Sequence, residues 1–146
     1  MRRFLYDTAV FVYAQGRDHP LREPCREIVA RAARGELRGE ASADLIQELA
    51  HQRHRRTGDR HEAVAAARDA AALCTVHEVT REDALQGLDL FRAHEGLDAR
   101  DAVFAAVALR RGIEAILTSD RAFDTIPGLE RVDPADVASV SALAGR

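Results

Sequence analysis

The chain has no lysine and no tryptophan, and aromatic residues make up only 5% of its 146 positions. All 21 of its basic residues are therefore arginines, a bias that genomic composition explains at least as well as function. Cysteine is nearly absent too. Cys25 and Cys74 stand alone, in no CxxC pair and no zinc-ligand spacing, which reads as two small buried residues in a reducing compartment. No apolar run approaches the length of a membrane span. The apolar start Phe4-Leu5-Tyr6 is broken at once by Asp7, too early for a secretory signal, so the expected location is the cytoplasm. No internal repeat, low-complexity tract or linker interrupts the chain. A net charge of −3 means that the molecule as a whole does not attract polyanions, and any such contact needs a local basic patch.

What is present suits one globular domain spanning 1–146. Apolar residues reach 47% and charged residues 31%, and the length allows a sizeable core. Phe4 to Tyr6 read as a short buried strand, Val10 to Ala14 as a short helix, and Cys25 to Arg34 as a helix after the break at His19 to Pro24. Gly35 and Gly39 bracket a connection toward Glu40-Ala41. Ser42 is a plausible N-cap for a helix through about Arg56, ended by Gly58. An alanine-rich helix follows from His61 to Leu73, then a strand from Thr75 to Val79. Thr80-Arg81-Glu82-Asp83 resembles a capping box that opens a helix through about His94. Asp98 caps an apolar helix, Ala102 to Arg110, with Gly112 as its stop. Ala115 to Thr118 and Leu129 to Val132 complete the strands, and Pro134 is placed at the first position of a last helix. Strands alternating with helices imply an α/β class, a three-layer α/β/α arrangement around a short central parallel sheet.

Four acids fall where such a fold gathers side chains. Asp7 and Asp120 each end an apolar strand, the place beyond the carboxyl ends where parallel sheets bind ligands. Glu48 and Asp101 lie in the first halves of their helices. Each has a local explanation: Asp7 can end a strand in a turn, Glu48 can be an exposed helix acid, Asp98 and Asp101 can form a cap, and Asp120 can cap residues 121–124. Those explanations take the residues one at a time and leave their recurrence at one edge unexplained. Carboxylates brought together repel unless a cation lies between them, which points to a divalent-metal site.

The pattern resembles the PIN domain, and especially the VapC-type toxin ribonucleases. The matching stretches are Phe4-Leu5-Tyr6-Asp7-Thr8 and Asp44-Leu45-Ile46-Gln47-Glu48-Leu49, then, as the strongest, Gly96-Leu97-Asp98-Ala99-Arg100-Asp101-Ala102-Val103-Phe104-Ala105-Ala106-Val107-Ala108, followed by Gly112-Ile113 and Leu117-Thr118-Ser119-Asp120-Arg121-Ala122-Phe123-Asp124. They occur in series over nearly the whole chain. The resemblance implies Asp7, Glu48, Asp101 and Asp120 as an acidic quartet for Mg²⁺ or Mn²⁺, with Asp124 competing for the fourth place and Asp98 as an extra carboxylate. Thr118 matches a hydroxyl position that orients the attacking water or supports a carboxylate. The implied activity is hydrolysis of RNA phosphodiester bonds, in which the cation lowers the pKa of water and stabilises phosphoryl charge without a covalent enzyme intermediate. The same resemblance implies a tRNA or rRNA substrate, a cognate antitoxin and a homodimer.

Arginines supply the other half of an RNA site. Arg53, Arg55, Arg56 and Arg60 follow Glu48 together with His51, His54 and His61, a basic flank for phosphates or a solvated helix end suited to the dipole. Arg100 and Arg121 adjoin candidate acids, as substrate contacts or as salt-bridge partners. Scarce aromatics favour recognition of RNA shape over extended stacking. Other classes fit less well. Glu48 and His51 form a single Glu-x-x-His step where a di-iron bundle needs two, and Glu48, His51 and His54 do not share a tight helical face for zinc. A receiver-like signalling domain requires a lysine. An inactive PIN-like binding scaffold and a non-toxin RNA-processing nuclease remain as alternatives, separable by metal binding and by cleavage.

Overall fold

The computed structural model describes residues 2–145. Its elements run β1 (Leu5–Tyr6), α1 (Thr8–Gln15), α2 (Arg22–Ala33), β2 (Glu40–Ser42), α3 (Ala43–Thr57), α4 (Arg60–Ala72), β3 (Thr75–His77), α5 (Arg81–Ala93), α6 (Ala99–Arg110), β4 (Ala115–Leu117), a short 3₁₀ helix (Arg121–Thr125), β5 (Glu130–Val132) and α7 (Val137–Ala142). The strands form one parallel sheet in the order β3-β2-β1-β4-β5. Successive residues of β1, β2 and β4 face opposite sides of the sheet, and all of them are buried. Both faces are therefore covered by helices, as the unbroken apolar runs of β1 and β4 require.

Chain order and sheet order part company at β1. The chain runs outward through β2 and β3, then returns to the other side of β1 for β4 and β5. The switch point thus lies between β1 and β4, where Tyr6 pairs with Leu117. The next residues, Asp7 and Thr118, leave the two strands side by side at their carboxyl ends, the place where an open α/β sheet forms its crevice.

Close packing anchors this centre. A Cβ on Gly39 would lie 2.0 Å from the Tyr6 ring, so only glycine lets the approach to β2 pass beneath that ring. Gly58 takes φ +68° and closes α3 in the left-handed conformation that glycine adopts most easily. The capping box at Thr80 forms in both directions, with Asp83 N–H donating to Thr80 Oγ1 at 3.1 Å and Thr80 N–H to Asp83 Oδ2 at 2.9 Å. Asp83 is fully buried and also accepts from Arg110 and Arg111.

Five expectations need correction. Glu40 to Ser42 form a buried strand rather than a connection, which the short polar sequence Glu-Ala-Ser disguises. The strand beginning at Thr75 ends at His77 instead of Val79, and α1 begins at Thr8, directly after Asp7. Ser42 holds the N-cap position of α3, but its hydroxyl bonds to Asp44 and caps no backbone N–H. Pro134 precedes the last helix by a turn: Asp133 accepts from Ala135 N–H and Asp136 N–H, and Asp136 is the true cap of α7.

Candidate metal centre at the switch point

A cleft of about 720 Å³ opens over the carboxyl ends of β1 and β4, and Asp7, Asp44, Glu48, Asp98, Asp101 and Asp120 all line it. They arrive on separate elements. Asp7 follows β1, Asp44 and Glu48 stand one helical turn apart on α3, Asp101 lies in the first turn of α6, and Asp120 starts the 3₁₀ helix.

Asp7 is the most fixed of them. It is 6% exposed, and Thr118 Oγ1 donates to its Oδ2 at 2.6 Å within the core. The same threonine oxygen accepts from Asp120 N–H at 3.0 Å. One hydroxyl therefore ties the two strand-end acids together, and of the two roles expected for Thr118 the structure displays support of a carboxylate. Burial pushes the Asp7 carboxyl above its ordinary range, the Thr118 hydrogen bond opposes that, and the Asp120 charge adds to it. Asp101 is raised as well, to about 7, first by burial and then by the charges of Asp7, Asp98 and Asp120, with Arg100 acting the other way. Asp44 is also raised, chiefly by burial. At neutral pH this cleft holds acids whose charged forms are disfavoured by their surroundings and by each other.

Glu48 has found a cation of its own kind. Arg100 donates to Glu48 Oε1 at 2.7 Å, and Gln52 Nε2 donates to the same oxygen at 2.8 Å. Asp98 does serve as the N-cap of α6, accepting from Asp101 N–H at 2.8 Å, while also lining the cleft. Asp120 likewise accepts from Ala122 N–H at 2.9 Å. The local cap roles and the cleft position coexist on the same side chains.

Several expected site residues lie elsewhere. Asp124 turns away from the cleft to pair with Arg131 at 2.8 Å. Arg53 donates to the Gln15 carbonyl at 2.9 Å and pairs with Glu62, and Arg56 donates to the same carbonyl at 3.1 Å. These two guanidiniums tie α3 to α1 and α4 and do not form a free basic flank. Arg55 and Arg121 are exposed, and neither lines the cleft. Asp44 lines the cleft too, a role that the sequence pattern does not assign to it, although its i,i+4 relation to Glu48 sets it on the same helix face.

The donor set suits a hard dication: oxygens only, several of them electrostatically strained. Among the described residues no three His, Cys, Asp or Glu side chains are yet close enough to hold an ion as they stand. Arg100 and Gln52 both occupy Glu48 Oε1, so the guanidinium is a cation that competes with an ion for this carboxylate. No histidine takes part in the cleft lining, which removes the zinc reading.

Known proteins resemble this chain in sequence and in fold. The PIN domain family model matches residues 4–129. Ribonuclease VapC7 of Mycobacterium tuberculosis is 40% identical over 142 residues, covering 96% of this chain and 97% of that protein. Ribonuclease VapC23 of the same species is 38% identical over 116 residues, covering 78% and 90%. Among solved structures, VapC20 of M. tuberculosis, described as a Sarcin-Ricin loop cleaving toxin, superposes with a TM-score of 0.67 at 19% identity, covering 84% of this chain and 92% of that one. DNA-bound VapBC from Salmonella typhimurium gives 0.66 at 20% identity, covering 92% and 99%. At such identities the structures speak for the fold, and the closer sequence relatives speak for the family. With its acids gathered at the switch point of a parallel sheet, the chain belongs to the PIN-domain family and to the VapC group within it.

Proposed function

We propose that this protein is a divalent-cation-dependent endoribonuclease and the toxin of a toxin–antitoxin pair. The observation that carries the reading is the meeting of Asp7, Glu48, Asp101 and Asp120 in one cleft, in a chain 40% identical to a named ribonuclease. Those four carboxylates are the proposed holders of Mg²⁺ or Mn²⁺, with Asp44 and Asp98 at the margin. A dication bound there lowers the pKa of the attacking water and stabilises charge on the phosphoryl oxygens.

The chain's own groups prepare that chemistry. Thr118 fixes the orientation of Asp7 and, through its amide contact, the start of the segment carrying Asp120. Asp101, raised to about 7, carries a proton for part of the time at neutral pH and must release it before acting as a ligand. Arg100 neutralises Glu48 in the metal-free chain and stands ready beside the cleft for a substrate phosphate. Arg55 and Arg121 are exposed cations available for more distant phosphates. The neutral-to-acidic whole molecule makes these local arginines the main electrostatic attraction for RNA.

The proposed substrate is a structured RNA, tRNA or rRNA, and the proposed location is the cytoplasm. None of the described helices is long and apolar enough to cross a membrane. Structural neighbours include VapBC complexes, so an antitoxin that covers the cleft, together with a homodimeric toxin, is the proposed assembly. Incubation of the purified protein with tRNA and rRNA, in Mg²⁺ or Mn²⁺ and in EDTA, tests the activity. Cation-dependent cuts that disappear in a folded Asp101→Asn variant are expected. A folded wild-type protein that binds dications but leaves both RNAs intact would remove the enzymatic reading.

A further inference from the structure

The cleft extends beyond its acids along one face of α1. Thr8, Ala9, Val12 and Tyr13 line that wall, two i,i+4 pairs on one helical stripe that begins next to Asp7. Tyr13 stands six residues past Asp7, roughly 9 Å along the helix axis at the usual rise. For a phosphate held at the acids, that offset suits a contact with a neighbouring nucleotide. The cleft lining contains one other aromatic, Phe104, and that ring is buried at 3% exposure. Tyr13 is only partly buried.

The ring is also held in place. His19 stacks on it with centroids 4.5 Å apart and planes inclined by 25°. His19 is fixed in turn by Leu21 N–H, which donates to its Nδ1 at 3.1 Å. The loop after α1 therefore folds an exposed imidazole back against the tyrosine. A flat ring is backed on one side and lines a cleft whose floor is acidic. The amide of Gln47 belongs to the same lining. A rigid aromatic face beside a polar amide suits an unpaired nucleobase, which stacks on the ring and offers hydrogen-bonding edges.

We propose that Tyr13, backed by His19, is the stacking platform for an unpaired base adjacent to the cleaved phosphate. This deepens the nuclease reading and rests on it. It also gives a local role to an aromatic in a chain too poor in aromatics for extended stacking.

The test uses short ribo-oligonucleotides carrying 2-aminopurine at successive positions, bound in Mg²⁺ to the full chain in an Asp101→Asn background so that they survive. One position should be quenched on binding. Tyr13→Phe should retain the quench, whereas Tyr13→Leu should lose it and bind roughly 5- to 150-fold more weakly. His19→Ala should reduce the quench by loosening the ring. A second measurement needs no variant: 5-iodouridine at the quenched position, photolysed with the wild-type protein in EDTA, should crosslink to the peptide carrying Tyr13 or His19. Unchanged affinity and quench in a folded Tyr13→Leu variant, or crosslinks only to other segments, overturn the platform while leaving RNA cleavage by the wild type intact. No cleavage and no binding by the wild type would overturn both readings together.

Discussion

The Arg100 guanidinium donates a 2.7 Å hydrogen bond to Glu48 across 52 residues of chain, joining α6 to α3 over the cleft. Arg100 is immediately followed by Asp101, so one short stretch carries both a proposed ligand and the internal cation that restrains another. The arginine side chain is 66% exposed, so solvent weakens the pair and its share of folding stability is small. Arg100→Ala should shift the unfolding free energy by no more than about 1 kcal/mol. It should tighten Mn²⁺ binding about 2- to 5-fold, since the ion no longer competes with a guanidinium worth at most about 1 kcal/mol. RNA affinity should fall in the same variant. Calorimetric titration with Mn²⁺, run beside an RNA-binding isotherm, checks both signs.

Asp101 predicts a linkage between protons and metal. Its carboxyl is raised to about 7, so between the unfolded-state value near 4 and pH 7 the folded, metal-free chain holds a proton that the unfolded chain has lost. That contribution favours folding least at high pH: stability should decline as pH rises from about 4 through about 7 in EDTA. Dication affinity should run the opposite way, falling about tenfold per pH unit below 7 with release of one proton. Calorimetry in buffers of different ionisation enthalpy measures the proton directly. Asp101→Asn should raise metal-free stability at pH 7.5 by roughly 1–3 kcal/mol while abolishing cleavage.

Thr118 is testable by near-isosteric replacement. Thr118→Val retains the shape but strips the donor from buried Asp7 and the acceptor from Asp120 N–H. The expected cost is about 1–3 kcal/mol in urea melts. Single-turnover cleavage should slow about 10- to 100-fold, as when a supporting partner of a metal ligand is lost. Thr118→Ser should recover most of both.

Asp83 provides the contrast, a buried acid with no part in the cleft. Burial alone would raise its carboxyl, but hydrogen bonds from Arg111 and Thr80 outweigh that and hold it at about 2. The sign is therefore opposite to that of Asp101. Its stabilisation is complete above about pH 4 and is lost as pH falls through about 2. Asp83→Ala leaves Arg110 and Arg111 without their shared partner and should destabilise by about 3–5 kcal/mol. Circular dichroism during acid titration should show a shallower acid transition in the variant, with cleavage by its folded fraction unchanged.

Sequence patterns reveal the fold wherever burial leaves an apolar signature. Leu5-Tyr6 and Ile116-Leu117 are legible because a strand covered on both faces must be apolar throughout. Glu40 to Ser42 are not, because Glu40 sits in the sheet only by virtue of Arg3 and His77, which satisfy its carboxylate from distant parts of the chain. The acids at the ends of β1 and β4 follow from topology alone. The roles of the arginines do not: Arg53 and Arg100 look equally basic in the sequence, yet one braces two helices and the other faces the cleft. Only the packed structure decides which cation is already occupied.

The bond between Thr118 and Asp7 spans 111 residues, and β1 stays an unfinished edge until β4 pairs with it. A growing polypeptide thus emerges with its first acid long before the strand that orients it. For an enzyme proposed to cut RNA, this ordering leaves the Asp7 site unassembled until synthesis has passed Thr118.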